Sequence, residues 1–362
     1  MRSYESLRRW PTVLLVLAVI FALTAVPGLA EPSFGGTLTI GTTADPDSLN
    51  VLQSNSVQAA WLHHLMYPTP MVMNEEGEKI PFIATDWGYS EDGLTAWMEL
   101  RDDVFWEDGV PLTSEDVKFT AQVTVEHNIG FNASLLADVT EIRTPSPTRI
   151  EFDLGGTYGP FLTSLGFWLR IVPKHIWETI EDPKTFANPN PLGAGPFRLA
   201  DYVEGQYYRF VPVDDWFDAP AGRAYVDEVV FRVYPDVNTL VLALLRGDLD
   251  LSATPIPPAS LDRVVETPGV NVVSTPSLGY YYIGFNMQND NAKPLQDVTV
   301  RQAMATAINK EIIRELVMRG QGIDTAVSVT PVLGDWYNSA VQSRAYDPEA
   351  AKAMLEAAGY VD

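Results

Sequence analysis

Alternating apolar and polar positions predict β-strands through much of the first half of the chain. The run GTLTIGT at residues 36–42 has this two-residue period and predicts the first strand. In GLTAWMEL at residues 93–100, the positions Leu94, Ala96, Met98 and Leu100 share one face of a predicted strand. A further pair of strands is predicted in FRLADYVEGQYYRFVPV at residues 197–213.

Helical periodicity with capping residues appears after Thr113 and through the second half. Thr113 and Asp236 are predicted N-caps, and Gly247 is a predicted C-terminal stop. Three more helices are predicted in DVTVRQAMATAINK, EIIRELVMRG and DPEAAKAMLEAAG, at residues 297–310, 311–320 and 347–359. Before them, VNVVSTP and SLGYYYIGFNM, residues 270–287, have the composition of strands. The pattern therefore indicates a mixed α/β protein.

Two irregular stretches interrupt these elements. TADPDSLN at residues 43–50 follows the first strand, and it is compatible with an Asx turn, a metal clip or one wall of a ligand cleft. The stretch DPKTFANPNPLGAGP, residues 182–196, is rich in proline and glycine and predicts a connector.

The first thirty residues have the three parts of a secretory signal peptide. A basic start with Arg8 and Arg9 precedes an apolar run from Val13 to Val26, and Gly28-Leu29-Ala30 fits a cleavage site. We therefore expect an exported protein of the periplasm or cell exterior, cleaved after about Ala30. No cysteine follows the run, so no lipoprotein anchor is expected. An uncleaved membrane anchor is the alternative, because the run is near the lower length limit for crossing a bilayer.

Composition narrows the classes of partner and chemistry. The chain has 362 residues, no cysteine and a net charge of −23, so nucleic acid and anionic membranes are unsuitable partners. Motifs for a phosphate loop, a nucleophile elbow or a zinc protease are absent from the sequence, and no cofactor is expected. The adjacent His63 and His64 point to different faces of a helix or strand, which disfavours a metal site. We therefore expect no enzyme activity.

The tyrosine cluster at residues 280–282 suggests a binding surface. In an alternating strand, Tyr280 and Tyr282 share one face and Tyr281 lies on the other. Core packing is the ordinary role of such residues, but one face could line a cleft that offers flat apolar rings and hydroxyl groups.

Eight segments in order resemble family 5 of the extracellular solute-binding proteins, the peptide and nickel type receptors of ATP-binding cassette (ABC) importers. They are GGTLTIGTTADPDSLN, GLTAWMELRDDVFWEDGVPLTSEDVKFT, IVPKHIWE, NPLGAGPFRLADY, VDEVVFRVYPDVNTLVLALLRGDLDL, YYYIGFNM, VRQAMATAINKEII and YDPEAAKAMLEAAGY. The resemblance runs from about Gly35 to Tyr360.

The resemblance implies the α/β, two-lobed fold of a type II, cluster C-like periplasmic binding protein. Lobe I would comprise residues 31–66 and 187–275, with an inserted subdomain at residues 67–186. Lobe II would comprise residues 276–362 and would be incomplete, because family members continue beyond the point equivalent to Asp362.

The same resemblance places the loop after the first strand at the ligand cleft. Ser54, Asn55 and Ser56 are then the expected contacts, together with Tyr280, Tyr281 and Tyr282, whereas Asp45 and Asp47 are expected to be structural. The expected partners are a small solute, most often an oligopeptide or dipeptide, and the permease subunits of an importer. A monomer is expected.

Other solutes and other classes of protein remain alternatives. An oligosaccharide would suit the aromatic side chains, and a metal chelate is the third choice of cargo. From different classes, an extracellular hydrolase would use acidic pairs, and a noncatalytic holdase would have no saturable small ligand.

Overall fold

The computed structural model describes residues 33–54, 56–74, 77–219, 224–275 and 278–360, and these form two compact units. The signal-peptide prediction, residues 1–30, lies outside the described residues, as does Asn55. Unit 1 ends at Val233 and unit 2 begins at Tyr234. The lobe and subdomain boundaries given above stay a prediction.

Unit 1 contains ten strands and five helices among its described residues. The strands are β1 (Thr37–Thr42), β2 (Met71–Met73), β3 (Lys79–Pro81), β4 (Ala84–Tyr89), β5 (Thr95–Leu100), β6 (Val139–Ser146), β7 (Arg149–Leu154), β8 (Phe197–Val203), β9 (Tyr207–Pro212) and β10 (Glu228–Val233). The helices are α1 (Val57–Met66), α2 (Ser114–Glu126), α3 (Gly130–Leu135), α4 (Phe161–Trp168) and α5 (Lys174–Trp177).

One sheet of unit 1 joins the first strand to three strands that come much later in the chain. β1 pairs in parallel with β10, β10 pairs antiparallel with β9, and β9 pairs antiparallel with β8. Phe210 and Phe231 are buried on neighbouring strands with their ring centroids 6.0 Å apart. This packing fixes the end of β1, from which the loop of residues 43–56 departs.

The other large sheet of unit 1 has the antiparallel order β4-β5-β7-β6 and carries the main core. Ala96, Met98 and Leu100 are buried, as the alternating pattern predicts, and Met98 lies opposite Ile150. Helix α2 packs against β6 and β7, and α4 packs against β4 and β5. Thr113 caps α2 in a capping box with Asp116, which confirms the predicted helix start.

Buried asparagines hold the loop after β1 to the proline-rich connector. The side-chain amide of Asn50 donates to the carbonyl oxygens of Pro183 and Phe186, each at 2.7 Å. Asn188 donates to the carbonyl of Leu49 at 3.2 Å and to the Tyr67 hydroxyl at 2.8 Å. The loop is therefore anchored by contacts more than 100 residues away in sequence.

Unit 2 is built mainly from helices among its described residues. They are α6 (Val237–Arg246), α7 (Leu261–Val265), α8 (Val298–Ala307), α9 (Lys310–Ile312) and α10 (Pro348–Ala357), with one short strand, β11 (Leu251–Ser252). Asp236 caps α6 and Gly247 ends it with a φ of 75°, as predicted. Helices α8 and α10 pack together, and Ala303 of α8 and Ala351 of α10 are both buried.

Three of the predicted elements of unit 2 differ in the structure. The described residues 270–275 and 278–287 belong to no β-ladder, so the strands predicted there are wrong. A strand is stable only when its backbone groups find ladder partners, which the local pattern does not specify. The helix predicted at residues 311–320 is the short α9 followed by a wider turn, Ile313–Val317.

Candidate functional site

A cavity of about 160 Å³ lies in unit 1 beside the loop that follows β1. Val51, Leu52, Ser54 and Ser56 from that loop form one wall. The opposite walls come from α1, from the end of α2 and the start of α3, and from the residues that end α4. The cavity thus brings together segments that are far apart in sequence.

Ser54 and Ser56 are held in this wall by one carboxylate. Both hydroxyl groups donate to Asp47 Oδ1, and the Ser56 bond is 2.7 Å long. Ser56 Oγ also accepts from the backbone nitrogen of Ala59 at 3.1 Å, which makes Ser56 the N-cap of α1. Asp45 accepts from the Gly205 nitrogen and the Tyr208 hydroxyl, at 3.0 and 3.1 Å. The two aspartates therefore shape the loop.

His63 lies on α1 with its ring buried against the cavity. Burial, and then the positive charge of Arg170, lower the pKa of His63 to about 3. The imidazole is therefore neutral at pH 7. Its hydrogen bond to the backbone of Leu49 raises the pKa, as a donated bond does. Nε2 has no hydrogen-bond partner among the described residues. It follows that Nδ1 carries the proton and that Nε2 is a free acceptor.

Arg170, just after α4, brings a buried positive charge to the cavity wall. Burial lowers the pKa of its guanidinium to about 10, so the group stays protonated at neutral pH. Nη2 lies 3.1 Å from Nε2 of His64, while Nε is buried and has no hydrogen-bond partner in the part of the chain that the structure describes. Burial and the neighbouring Arg170 lower the pKa of His64 to about 4, so this ring is a neutral acceptor. In the described ranges, no carboxylate forms an ion pair with Arg170.

Asn132 on α3 contributes a second acceptor. Its amide nitrogen donates to the carbonyl oxygen of Trp168 at 3.1 Å, which assigns the orientation of the amide group. Oδ1 is buried, and no described residue donates a hydrogen bond to it. The cavity wall therefore carries one cationic donor at Arg170 and two acceptors, at His63 and Asn132. This set can bind a polar solute, but a histidine with a pKa near 3 is a poor general base at neutral pH.

The three tyrosines predicted as contacts lie in unit 2. Tyr280 is partly exposed, and Tyr281 and Tyr282 are 93 % and 77 % exposed. The rings of Tyr280 and Tyr282 are neighbours, with centroids 5.6 Å apart and planes tilted by 48°. Unit 2 thus offers an accessible aromatic surface, and its role as a ligand contact stays a prediction.

Most of the wall residues were not among the expected contacts, and these include His63, Asn132, Trp168 and Arg170. The sequence offered weak signals for them. His63 has the appearance of an ordinary buried histidine, and Asn132 stands out only as part of the glycosylation-like triplet NAS. Arg170 directly precedes IVPKHIWE, one of the family-like segments, but nothing local marks it as buried.

Comparison with protein families decides what kind of molecule carries this cavity. Residues 78–362 match the model described as bacterial extracellular solute-binding proteins, family 5 middle. The chain belongs to this family. The match spans most of the chain and includes Asn132 and Arg170. The resemblance expected from the eight sequence segments is confirmed.

Two relatives to which this solute-binding protein is similar are named as peptide-binding proteins. It is 27 % identical to the oligopeptide-binding protein AppA of Bacillus subtilis, over 97 % of its own length and 66 % of the relative's. It is 30 % identical to the dipeptide-binding protein of Escherichia coli, over 78 % of its own length and 55 % of the relative's. The chain therefore spans less than two thirds of the length of these relatives.

A solved structure shares the fold of this solute-binding protein. AppA from B. subtilis, in complex with a nonapeptide, superposes with a TM-score of 0.81 over 92 % of this chain and 66 % of the other. The predicted fold class, a mixed α/β protein of the periplasmic-binding type, is confirmed. Among the described residues, none of the helices has the length and apolar character needed to cross a membrane.

Proposed function

We propose that this family 5 protein is the solute receptor of an ABC importer and that its solute is a peptide. In this role it is exported, acts outside the cytoplasm as a monomer, and delivers the peptide to membrane permease subunits. The role is noncatalytic, since binding followed by release is its whole chemistry. A closing receptor favours its closed form only by the extra contacts that the solute makes there.

The observation that carries the proposal is the likeness to a named oligopeptide-binding protein across nearly the whole chain, in sequence and in fold. The cavity supports it from the chemistry of its wall. A peptide offers N–H donors, carbonyl acceptors and a terminal carboxylate, and these groups complement His63, Asn132 and Arg170. The serines of the loop, Ser54 and Ser56, belong to the same wall.

The test is titration of the purified exported protein with a dipeptide, a nonapeptide, an oligosaccharide and a nickel–histidine complex. Binding is measured by calorimetry and by tryptophan fluorescence, for which Trp168 in the cavity wall is the expected reporter. We expect saturable binding of one or both peptides, with quenching or enhancement of fluorescence. Trp168→Phe should remove most of that change while calorimetry still detects binding.

Each other result contradicts the peptide proposal in a specific way. Saturable binding of the oligosaccharide alone would select the alternative cargo, and binding of the nickel complex alone would select the metal chelate. Turnover of a chromogenic glycoside would favour a hydrolase. Heat from none of the four solutes, with a cooperative unfolding transition still present, would contradict a receptor for these solutes.

A further inference from the structure

A second cavity, of about 150 Å³, lies in unit 1 where α3, the end of β7 and the start of α4 meet. It has no lining residue in common with the cavity beside the loop that follows β1. The peptide role proposed above makes no use of it. Its walls combine buried apolar side chains with an exposed rim that carries one charged residue.

The inner part of this second cavity is apolar and closely packed. Leu135, Leu154 and Phe161 line it, and all three are buried. The ring of Phe161 meets that of Phe152 edge-on, with centroids 5.4 Å apart. A cavity of this size holds a benzene-sized group. The inner part therefore suits one small ring or a short branched alkyl group.

Hydrogen bonds hold the rim of the second cavity in place without a ligand. The backbone nitrogen of Gly155 donates to the carbonyl oxygen of Asp138 at 2.7 Å, which ties the end of β7 to the segment after α3. The hydroxyl of Tyr89 lies 3.1 and 2.9 Å from the carbonyl oxygens of Tyr158 and Gly159, just before α4. The cavity is thus pre-formed, so a ligand does not have to order its walls.

The rim favours a positive charge. Asp138 is the one charged residue that lines the cavity, and it is exposed. Within the described part of the chain, its carboxylate takes part in no ion pair. Tyr158 on the same rim is also exposed. A carboxylate accepts hydrogen bonds from an ammonium group, and the face of an aromatic ring attracts a cation.

From these features we propose that the second cavity binds a small organic cation, with the ammonium group at Asp138 and Tyr158 and the apolar body on the buried inner wall. The chemical class is a primary amine carried by a benzene-sized body. A metal ion does not fit, since no group of three or more ligating side chains able to hold one occurs among the described residues. The inference goes beyond the proposed function, because this ligand binds outside the cavity assigned to the peptide.

The experiment compares three probes of similar size and different charge. The purified exported protein, without peptide, is titrated with benzylamine, with the neutral benzyl alcohol and with benzoate. NMR of isotope-labelled leucine methyl groups locates the binding: Leu135 and Leu154 report on the cavity, and Leu240, buried in unit 2, is the reference. We expect saturable shifts at Leu135 and Leu154, with benzylamine bound about 5- to 20-fold more tightly than the alcohol, because a partly exposed ion pair and a cation–ring contact each contribute modestly. Benzoate should bind more weakly than the alcohol.

Three variants test the assigned contacts. Asp138→Asn keeps the size of the side chain and removes its charge, so it should reduce the preference for the amine to about twofold or less. Tyr158→Leu removes the ring and should reduce the preference by about two- to fivefold, which decides the question if Asp138→Asn does not fold. Asp86→Asn removes a carboxylate from an exposed position on β4 outside the cavity, and it should leave the preference unchanged.

Equal binding of amine and alcohol, tighter binding of benzoate, no binding of any probe, or an amine preference that survives Asp138→Asn would overturn the site. Shifts that extend to Leu240 without saturation would also overturn it, because they would show a general attraction of the cation to an acidic protein. The result is independent of the proposed function. Binding of the nonapeptide without an amine preference would keep the receptor and reject the cation site, and the reverse result would keep the cation site alone.

Discussion

A single buried histidine shows how strongly the cavity environment acts on one side chain. His63 is nearly inaccessible, and Arg170 adds positive charge beside it. Both factors oppose protonation, so the imidazole ring of His63 stays neutral throughout the physiological pH range and can accept a hydrogen bond. The same factors make the stability of the folded protein depend on pH through His63.

His63→Gln tests that sensitivity. The unfolded chain binds a proton at a histidine with a pKa near 6.5, and the folded chain only near 3. Between these pH values the unfolded state holds the extra proton, so the free energy of unfolding falls as pH falls, by up to about 1.4 kcal/mol per pH unit. Denaturant unfolding at several pH values should show the unaltered chain losing stability relative to His63→Gln from pH 6.5 towards pH 3.

His64 provides the internal control for this comparison. Its pKa is also lowered, to about 4, and it contributes a slope of the same sign to both proteins. The difference between them therefore reports His63 alone. Parallel stability curves for the two proteins would show that His63 does not carry the effect.

At the scale of elements, the site depends on hydrogen bonds from the proline-rich connector to the last residue of α1. The backbone nitrogens of Ala194 and Gly195 donate to the Met66 carbonyl, at 3.0 and 2.8 Å. A Cβ at Gly195 would lie 2.3 Å from the Leu65 carbonyl oxygen. Glycine is needed here for close backbone approach, and the contact holds α1, which carries His63 and is capped by Ser56.

Gly195→Ala should therefore destabilise the protein. The added methyl group meets backbone, which cannot move aside as a flexible side chain can, and overpacking of this kind costs about 1–3 kcal/mol. Gly156→Ala is the matched control, because a Cβ there meets nothing within 4 Å. Urea unfolding followed by circular dichroism should show a lower midpoint for Gly195→Ala and a shift within about 0.5 kcal/mol for Gly156→Ala. Equal midpoints for the two variants would contradict the close approach.

At the scale of the whole molecule, the cavity lined by the buried Arg170 lies in a protein of net charge −23. The long-range field of such a protein repels an anionic solute, while the buried guanidinium attracts it only at short range. Salt screens the distant charges far more than a buried contact. The association and dissociation rate constants of the solute should therefore respond differently to ionic strength.

Stopped-flow binding of an N-acetylated tripeptide acid tests this difference. Its association rate constant should rise as ionic strength increases from about 10 to about 150 mM, because the Debye length falls from about 30 to about 8 Å. The dissociation rate constant should change little. The corresponding C-terminal amide, which has no charge, should show neither effect. Slower association of the acid at higher salt would mean that local attraction by Arg170 dominates the encounter.

The sequence alone determined the elements whose signals are local. The alternation at residues 95–100, the Thr113 cap of α2 and the Asp236 and Gly247 limits of α6 all act within a few residues, so they can be identified without knowing the fold. The family likewise followed from ordered segments, and the prediction placed Ser54 and Ser56 in the loop that lines the cavity. Their contact with a ligand remains a prediction.

Only the tertiary structure decided which residues share the cavity. His64 and Arg170, whose side chains are 3.1 Å apart, are separated by 106 positions, and no periodic pattern links them. The wrong strand prediction at residues 270–275 has the same origin, because a strand depends on partners elsewhere in the chain. Burial and charge pairing are properties of the folded chain as a whole. The neutral state of His63 and the burial of the Arg170 guanidinium arise only when distant segments pack together and exclude water.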